Sequence, residues 1–191
     1  MVFSQHYIQQ LHAALDMIDL TKVVEAITLF RNVRNDGGSI FVCGNGGSAA
    51  TASHFATDMV KGASYGRSRR FRILALTDSI STLTAYANDV SYDCVFVEQL
   101  RNFARPGDLV MAISGSGNSP NVVCAVEYAN SLGCQTLALT GFDGGCLAHA
   151  AQFNIRVSAQ HMGCIEDAHM VVCHMISYYF MDAEQASDRN E

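Results

Sequence analysis

No tryptophan and only two prolines occur in the 191 residues, and only 16% of them are charged. With so little proline, no Pro-rich linker divides the chain, and neither an internal repeat nor a low-complexity stretch interrupts it; one domain is expected. No apolar run reaches the roughly 18–20 residues of a membrane-crossing helix. Met1-Val2-Phe3-Ser4-Gln5 lacks the charged start and apolar core of a signal peptide. None of the seven cysteines stands in a Cys-x-x-Cys pair, and Cys43, Cys124, Cys134 and Cys173 sit in apolar segments. They read as small core residues in a reducing cytoplasm, rather than as disulfides or zinc ligands. A net charge of −6 argues against a nucleic-acid surface and leaves anionic ligands to be attracted by local dipoles and a few cations. What the chain does have is apolar residues, 49% of the total. That is rich for a soluble protein of this size, and a partner subunit is expected to cover part of the excess.

The periodicity alternates. Residues 5–18 and 21–33 carry apolar positions at helical spacing, the second stopped by Asp36-Gly37-Gly38. Ser39 to Cys43 is short, apolar and rich in strand formers, and it runs into Gly44-Asn45-Gly46-Gly47-Ser48 and a helix from about Ala49 to Lys61. Strands are then predicted at Phe71–Leu76, Leu109–Ile113, Gln135–Leu139 and Phe153–Val157. Helices are predicted at Ser81–Ala87, Tyr92–Phe103, Asn121–Leu132, Cys146–Ala150 and from about Cys164 to Met181. Five strands separated by helices imply an α/β three-layer sandwich with a parallel, doubly wound, flavodoxin-like sheet. Residues 1–35 form a helical arm of the same domain and of a subunit interface, 36–183 the body, and 184–191 a frayed tail.

Ligands on such sheets bind beyond the carboxyl ends of the strands. The loop Ser114-Gly115-Ser116-Gly117-Asn118-Ser119 lies at such an end, where a buried strand hands over to a helix. Its glycines allow close backbone approach, its serines add donors, and the helix start adds N–H groups and a positive dipole. The combination favours an anion, a phosphate monoester foremost; the alternative is a serine-rich turn that only caps a helix. The glycine loop Gly44–Ser48 has neither dinucleotide-fingerprint spacing nor a Lys-Ser/Thr pair, so no nucleotide cofactor is expected.

Together the two loops closely resemble the sugar isomerase (SIS) domain family, in its phosphoheptose isomerase branch. Ala52-Ser53-His54-Phe55-Ala56, Ala87-Asn88-Asp89, Leu139-Thr140-Gly141 and Asp143-Gly144-Gly145 extend the resemblance over nearly the whole chain. It implies a ketose–aldose phosphosugar isomerase, typically of sedoheptulose 7-phosphate, in a cytoplasmic homotetramer with sites between subunits. Family phosphate positions carry over to Ser114, Gly115, Ser116 and Ser119, and sugar positions to Asn45, Gly46, Gly47, Ser48, Asn88 and Asp89. The family's zinc and acid/base positions carry over to His54, Asp58, Glu166 and His174. Two of these depart from the family: Asp58 stands for a glutamate, and Glu166 for a glutamine.

His54 and Asp58, four apart, share one face of a helix, and a His with a carboxylate suits zinc if further ligands arrive. Glu166 and His174 are eight apart, roughly 12 Å along a continuous helix, which makes joint ligation awkward. Two chemistries follow. Zinc is held by all four residues, with Asp58 and His174 moving protons. Otherwise Glu166 is a metal-free base, helped by His169 or His174. The basic run Arg67 to Arg72 reads as a phosphate lure over the site or as a solvated loop. Glu98 and Gln99 are placed to reach a neighbouring subunit's site, and Tyr178-Tyr179-Phe180 reads as core or subunit contact. A second class of function stays open: a non-catalytic phosphosugar-binding module that regulates a protein partner, of the replication-initiator-associating type.

Overall fold

The computed structural model describes residues 2–184. Two helices, α1 (Val2–Asp16) and α2 (Leu20–Asn35), precede the sheet, and the Asp19 carboxylate caps α2 by accepting from the Thr21 N–H at 3.0 Å. Strands β1 (Ser39–Gly44), β2 (Arg72–Ala75), β3 (Leu109–Ser114), β4 (Gln135–Gly141) and β5 (Phe153–Val157) form one parallel sheet in the order β2-β1-β3-β4-β5. The connecting helices are α3 (Gly47–Thr57), α4 (Ile80–Asp89), α5 (Val97–Phe103), α6 (Pro120–Leu132) and α7 (Gly145–Ala150), and α8 (Met162–Tyr178) closes the chain.

Strand residues alternate between two cores because successive side chains point to opposite faces. Ile40, Val42, Leu109, Met111 and Ile113 pack with Phe30, Phe55, Ile165 and Phe180 from α2, α3, α8 and the turn after it. Phe41, Cys43, Val110 and Ala112 pack with Phe96, Leu100, Val126 and Leu147 under α5, α6 and α7. Every residue of β3 is buried, as a central parallel strand covered on both faces must be. The sheet and its order agree with the expected flavodoxin-like sandwich.

Three boundaries differ from the periodicity. Tyr92–Phe103 is not one helix: Tyr92–Cys94 is a 3₁₀ turn capped by Ser91, whose hydroxyl accepts from the Asp93 N–H, and α5 begins at Val97. The break turns both Val95 and Phe96 into the core. Helix α3 starts at Gly47 and gives way at Asp58 to a single π turn, Asp58–Gly62, in which the Ala63 N–H reaches the Asp58 carbonyl at 2.9 Å. Helix α8 starts at Met162 and ends in a second π turn, Tyr179–Ala183.

That end is tied down. The buried Arg34 guanidinium lies between the Phe71 and Phe180 rings, 4.8 and 5.2 Å from their centroids, and donates to Glu184 at 2.8 and 2.9 Å. Burial pulls the Glu184 carboxyl upward, but Arg34 and Arg31 outweigh it and hold the group below the usual carboxylate range. Arg67 donates to the Phe180 and Met181 carbonyls and so satisfies the last turn of the helical end. The first arginine of the basic run is therefore structural. Glu184, expected to begin a frayed tail, is anchored; the rest of that tail, 185–191, lies outside the described residues.

Phe55 is fully buried and meets Phe30 edge-on, with ring centroids 5.4 Å apart. Phe55→Ala is expected to cost about 3–5 kcal/mol, measured as a lowered urea midpoint with the m-value retained.

Candidate active site

The strand order reverses between β1 and β3, so the crest above these two strands is the switch point where ligands bind. The glycine loop follows β1 and the serine loop follows β3. Between them lies a cavity of about 150 Å³ lined by Asn45, Ser48, Ile113, Ser114, Gly115, Ser116, Ser119, Met162 and Glu166. A larger hollow of about 540 Å³ opens at the opposite ends of the strands, beside Ser39, Arg72, Arg105 and Asp108. It is remote from both loops, so volume is a poor guide here.

Ser119 occupies the N-cap of α6, yet its hydroxyl makes no capping hydrogen bond among the described residues, and Pro120 follows it. Its hydroxyl instead lies 3.4 Å from that of Ser114. The reading of this loop as a simple cap therefore fails. Ser114 also accepts from the Gly117 N–H at 3.2 Å, and Ser116 from the Asn118 N–H at 3.3 Å. Gly117 holds a φ of 66°, and a methyl group there would run into the Gly144 carbonyl. This close approach locks the serine loop onto the β4–α7 loop, where Asn118 accepts from the Cys146 N–H at 3.0 Å. No Lys or Arg lines the cavity among the described residues. What the cavity offers instead is serine hydroxyls and the starts of α3 and α6, groups that suit an anion.

Helices α3 and α8 run side by side in the same direction. Gly47 meets Glu166 so closely that a Cβ on Gly47 would overlap the carboxylate. Seven residues on, His54 meets His174 with Nε2 atoms 3.4 Å apart and rings edge-to-face. Asp58 then meets Ser177 at 3.5 Å. Positions i, i+7 and i+11 share one helix face, which is why a single seam carries all three contacts. Asp58 Oδ2 lies 3.6 Å from His54 Nε2 and 3.8 Å from His174 Nε2. One ligand atom from each of His54, Asp58 and His174 falls within 4.8 Å of the others.

Of the four expected metal ligands, three converge. Glu166 does not join them, because α8 is one continuous helix and eight residues carry His174 about 12 Å farther along it. The Glu166 carboxylate instead lines the cavity beside the serine loop. His169, weighed as a helper, is also elsewhere: it is buried and faces the Thr140 carbonyl at 3.0 Å. With Nε2–H donating there, Nδ1 is left buried without a partner. Burial pushes the His169 pKa down to about 4, against a smaller opposite pull from the Thr140 carbonyl.

Asn88 and Asp89 lie exposed at the end of α4, outside this cavity; Asn88 donates to Asp89 at 2.7 Å, and Asp89 borders a separate hollow with Ser81, Tyr86 and Val90. Gln99 does not face outward as expected. It is buried and donates to the Leu76 and Val95 carbonyls, while Glu98 pairs with Arg101 at 3.0 Å. Of the trio expected as core or subunit contact, Phe180 is core, Tyr179 accepts from Arg31, and Tyr178 lies edge-on to His174. Sequence reasoning missed Asn121, Tyr92 and Met162. Asn121 and Asn45 exchange hydrogen bonds at 2.8 and 3.0 Å, and the Tyr92 hydroxyl donates to Asn45 at 2.8 Å. Only the position of Asn121 directly behind the serine loop could have signalled this.

The family described as SIS domain matches residues 6–141. The chain belongs to the SIS domain family. Among similar SIS proteins, one from Thermoplasma volcanium named "Probable phosphoheptose isomerase" is 44% identical over 91% of this chain and 90% of its own length. The "Phosphoheptose isomerase" of Mycobacterium tuberculosis is 45% identical over 74% of this chain and 71% of its own. The solved structure of the phosphoheptose isomerase GmhA from Neisseria gonorrhoeae superposes with a TM-score of 0.84 at 33% identity, covering 94% of this chain and 95% of that one. These relatives put this SIS chain in the isomerase class.

His169 yields a pH prediction. Its folded pKa lies below the ordinary 6.5, so its contribution to stability is fully present above about pH 6.5 and is lost as pH falls toward about 4. Thermal unfolding from pH 7 to 4.5 is expected to show a steeper loss of Tm for the native chain than for His169→Gln.

Proposed function

We propose that this SIS chain interconverts sedoheptulose 7-phosphate and D-glycero-D-manno-heptose 7-phosphate by proton transfer through an enediol(ate). The observation that carries this reading is the seam between α3 and α8, with the serine-loop cavity at one end and His54, Asp58 and His174 at the other. From Gly47 to His54 is about 10 Å of helical rise. An extended sugar phosphate bridges that span with its phosphate on Ser114, Ser116 and Ser119 and its carbonyl end at the trio. Asn45, Gly46, Gly47 and Ser48 then face the sugar. Asn88 and Asp89 serve a site across a subunit boundary in a homotetramer, in keeping with the exposed Ile80, Val90 and Tyr92 around them.

The trio fits zinc. Two imidazole nitrogens and a carboxylate oxygen are a common zinc donor set, and three protein ligands leave a position open for substrate. A divalent ion bound there supplies Lewis-acid stabilisation of the charge on the substrate oxygens. Asp58 takes the proton beside the carbonyl and returns it to the neighbouring carbon, and His174 moves the hydroxyl proton. The place of Glu166 inside the cavity supports a second reading, in which Glu166 is the base and no metal is needed. A regulatory binding module would have no use for a converged His-Asp-His trio.

Purified full-length protein, prepared without chelator or histidine tag, is assayed for aldose formation from sedoheptulose 7-phosphate before and after chelation. Turnover is expected, with loss on chelation and recovery on adding zinc. Asp58→Asn is expected to lower kcat by about 10²–10⁴. Full activity with no bound metal, abolished by Glu166→Gln, transfers the chemistry to the second reading. Phosphosugar binding without turnover points to the regulatory module.

A further inference from the structure

The hollow at the opposite ends of the strands has a construction of its own. Helix α5 is seven residues long, about 10 Å of rise, whereas the six residues of β1 extend about 20 Å. The helix therefore leaves the start of β1 and β2 open, and Arg72 and Leu74 are exposed there. Parallel register sets Ser39 beside Arg72 and Phe41 beside Leu74. Alternate residues share a face, so all four line one opening of about 540 Å³, a volume in the range of small-molecule sites. Phe103, the last residue of α5, and Arg105, in the loop that follows, complete its wall.

The charge of this opening runs against that of the chain. Neither Arg72 nor Arg105 forms an ion pair among the described residues. Asp108 is the one carboxylate in the described wall, and main-chain donors already meet it. Its Oδ1 accepts from the Ser39 N–H at 2.7 Å and its Oδ2 from the Arg105 N–H at 2.8 Å. In a chain of net charge −6, the opening is a local centre of positive charge. Two large apolar side chains stand beside the guanidiniums, Phe103 at 56% exposed and Leu74 at 45%. One such residue alone is ordinary, but two of them lining an opening with two unpaired arginines suit a ligand with an anionic end and a flat apolar body. Guanidiniums grip phosphate oxygens bidentately, and an exposed phenyl face stacks on a base. We propose that this opening is a second ligand site, remote from the crest, that takes a nucleoside diphosphate, with Arg72 and Arg105 on its phosphates and Phe103 against its base. The proposal does not depend on the function proposed above.

The test is calorimetric titration of the full chain with ADP and, separately, with pyrophosphate. ADP is expected to bind, with Kd raised about tenfold by Arg72→Gln or Arg105→Gln. Phe103→Ala is expected to weaken ADP about fivefold or more and to leave pyrophosphate unchanged. All three side chains are exposed, so Tm should stay within about 2 °C in each variant. Arg70→Gln, in the same basic run but outside the opening, is expected to bind ADP as the native chain does. No binding of ADP to the native chain at about 1 mM overturns the proposal. Equal binding by the native chain and both arginine variants overturns it too, and so does an equal loss in Arg70→Gln, the mark of a diffuse basic surface. A loss in Ser119→Ala with the arginine variants unaffected puts the ADP at the crest and likewise overturns it. If Phe103→Ala binds ADP normally, the base is not recognised and the assignment to a nucleoside diphosphate falls.

Discussion

The side-by-side, same-direction packing of α3 on α8 governs the functional geometry. Both helices bury apolar faces against one side of the parallel sheet, Phe55 and Met59 from one stretch and Ile165, Val172 and Ile176 from the other. Once they are in contact, the 3.6-residue period lines up their remaining polar positions in one seam. Gly47 and Glu166 fall at the crest, and His54, Asp58, His174 and Ser177 fall below it. The distance between anion loop and imidazoles is then a property of helical rise and needs no special loop.

The serine-loop cavity is lined by no cationic side chain among the described residues. A buried or half-buried anion is costly unless donors meet it. Here the donors are serine hydroxyls and two helix starts, delivered by turns with positive φ at Gly46 and Gly117. Glu166 brings a carboxylate to the same cavity, so under the proposed function the phosphate lies toward the serines and the carboxylate toward hydroxyl-bearing carbon. Glu166, which resemblance to the family sets at a glutamine position, thus falls in the serine-loop cavity, whereas Asp58, set at a glutamate position, falls in the trio with His54 and His174. Asp58 stands where α3 gives way to the π turn, still at the i+4 position from His54, and its carboxylate lies 3.6 and 3.8 Å from the two imidazoles.

Much of this was legible in the chain itself. The alternation of short apolar runs with helical periods indicated the sheet, and the two loops marked its crest. Other features were not legible, because they depend on contacts between distant segments. The spacing of Glu166 and His174 made joint ligation of one metal awkward, but only the unbroken course of α8 set the two about 12 Å apart along it. Nothing local distinguishes Arg67 as a helix-end partner from Arg69 as a solvated charge, since the carbonyls that Arg67 meets lie more than a hundred residues away. Gln99 and His169 were misjudged for the same reason: each is turned inward by backbone carbonyls of other elements.

Local sequence by itself determined the parallel α/β architecture, the position of the two loops and the pairing of His54 with Asp58, because strand and helix periods and i, i+4 spacing are properties of neighbouring residues. Tertiary structure alone decided that His174 completes a trio while Glu166 joins the serine loop, and that Asn121 and Tyr92 take hold of Asn45. Those choices depend on which helices and turns lie side by side, and side-by-side placement is set by the burial of whole faces rather than by any short stretch of residues.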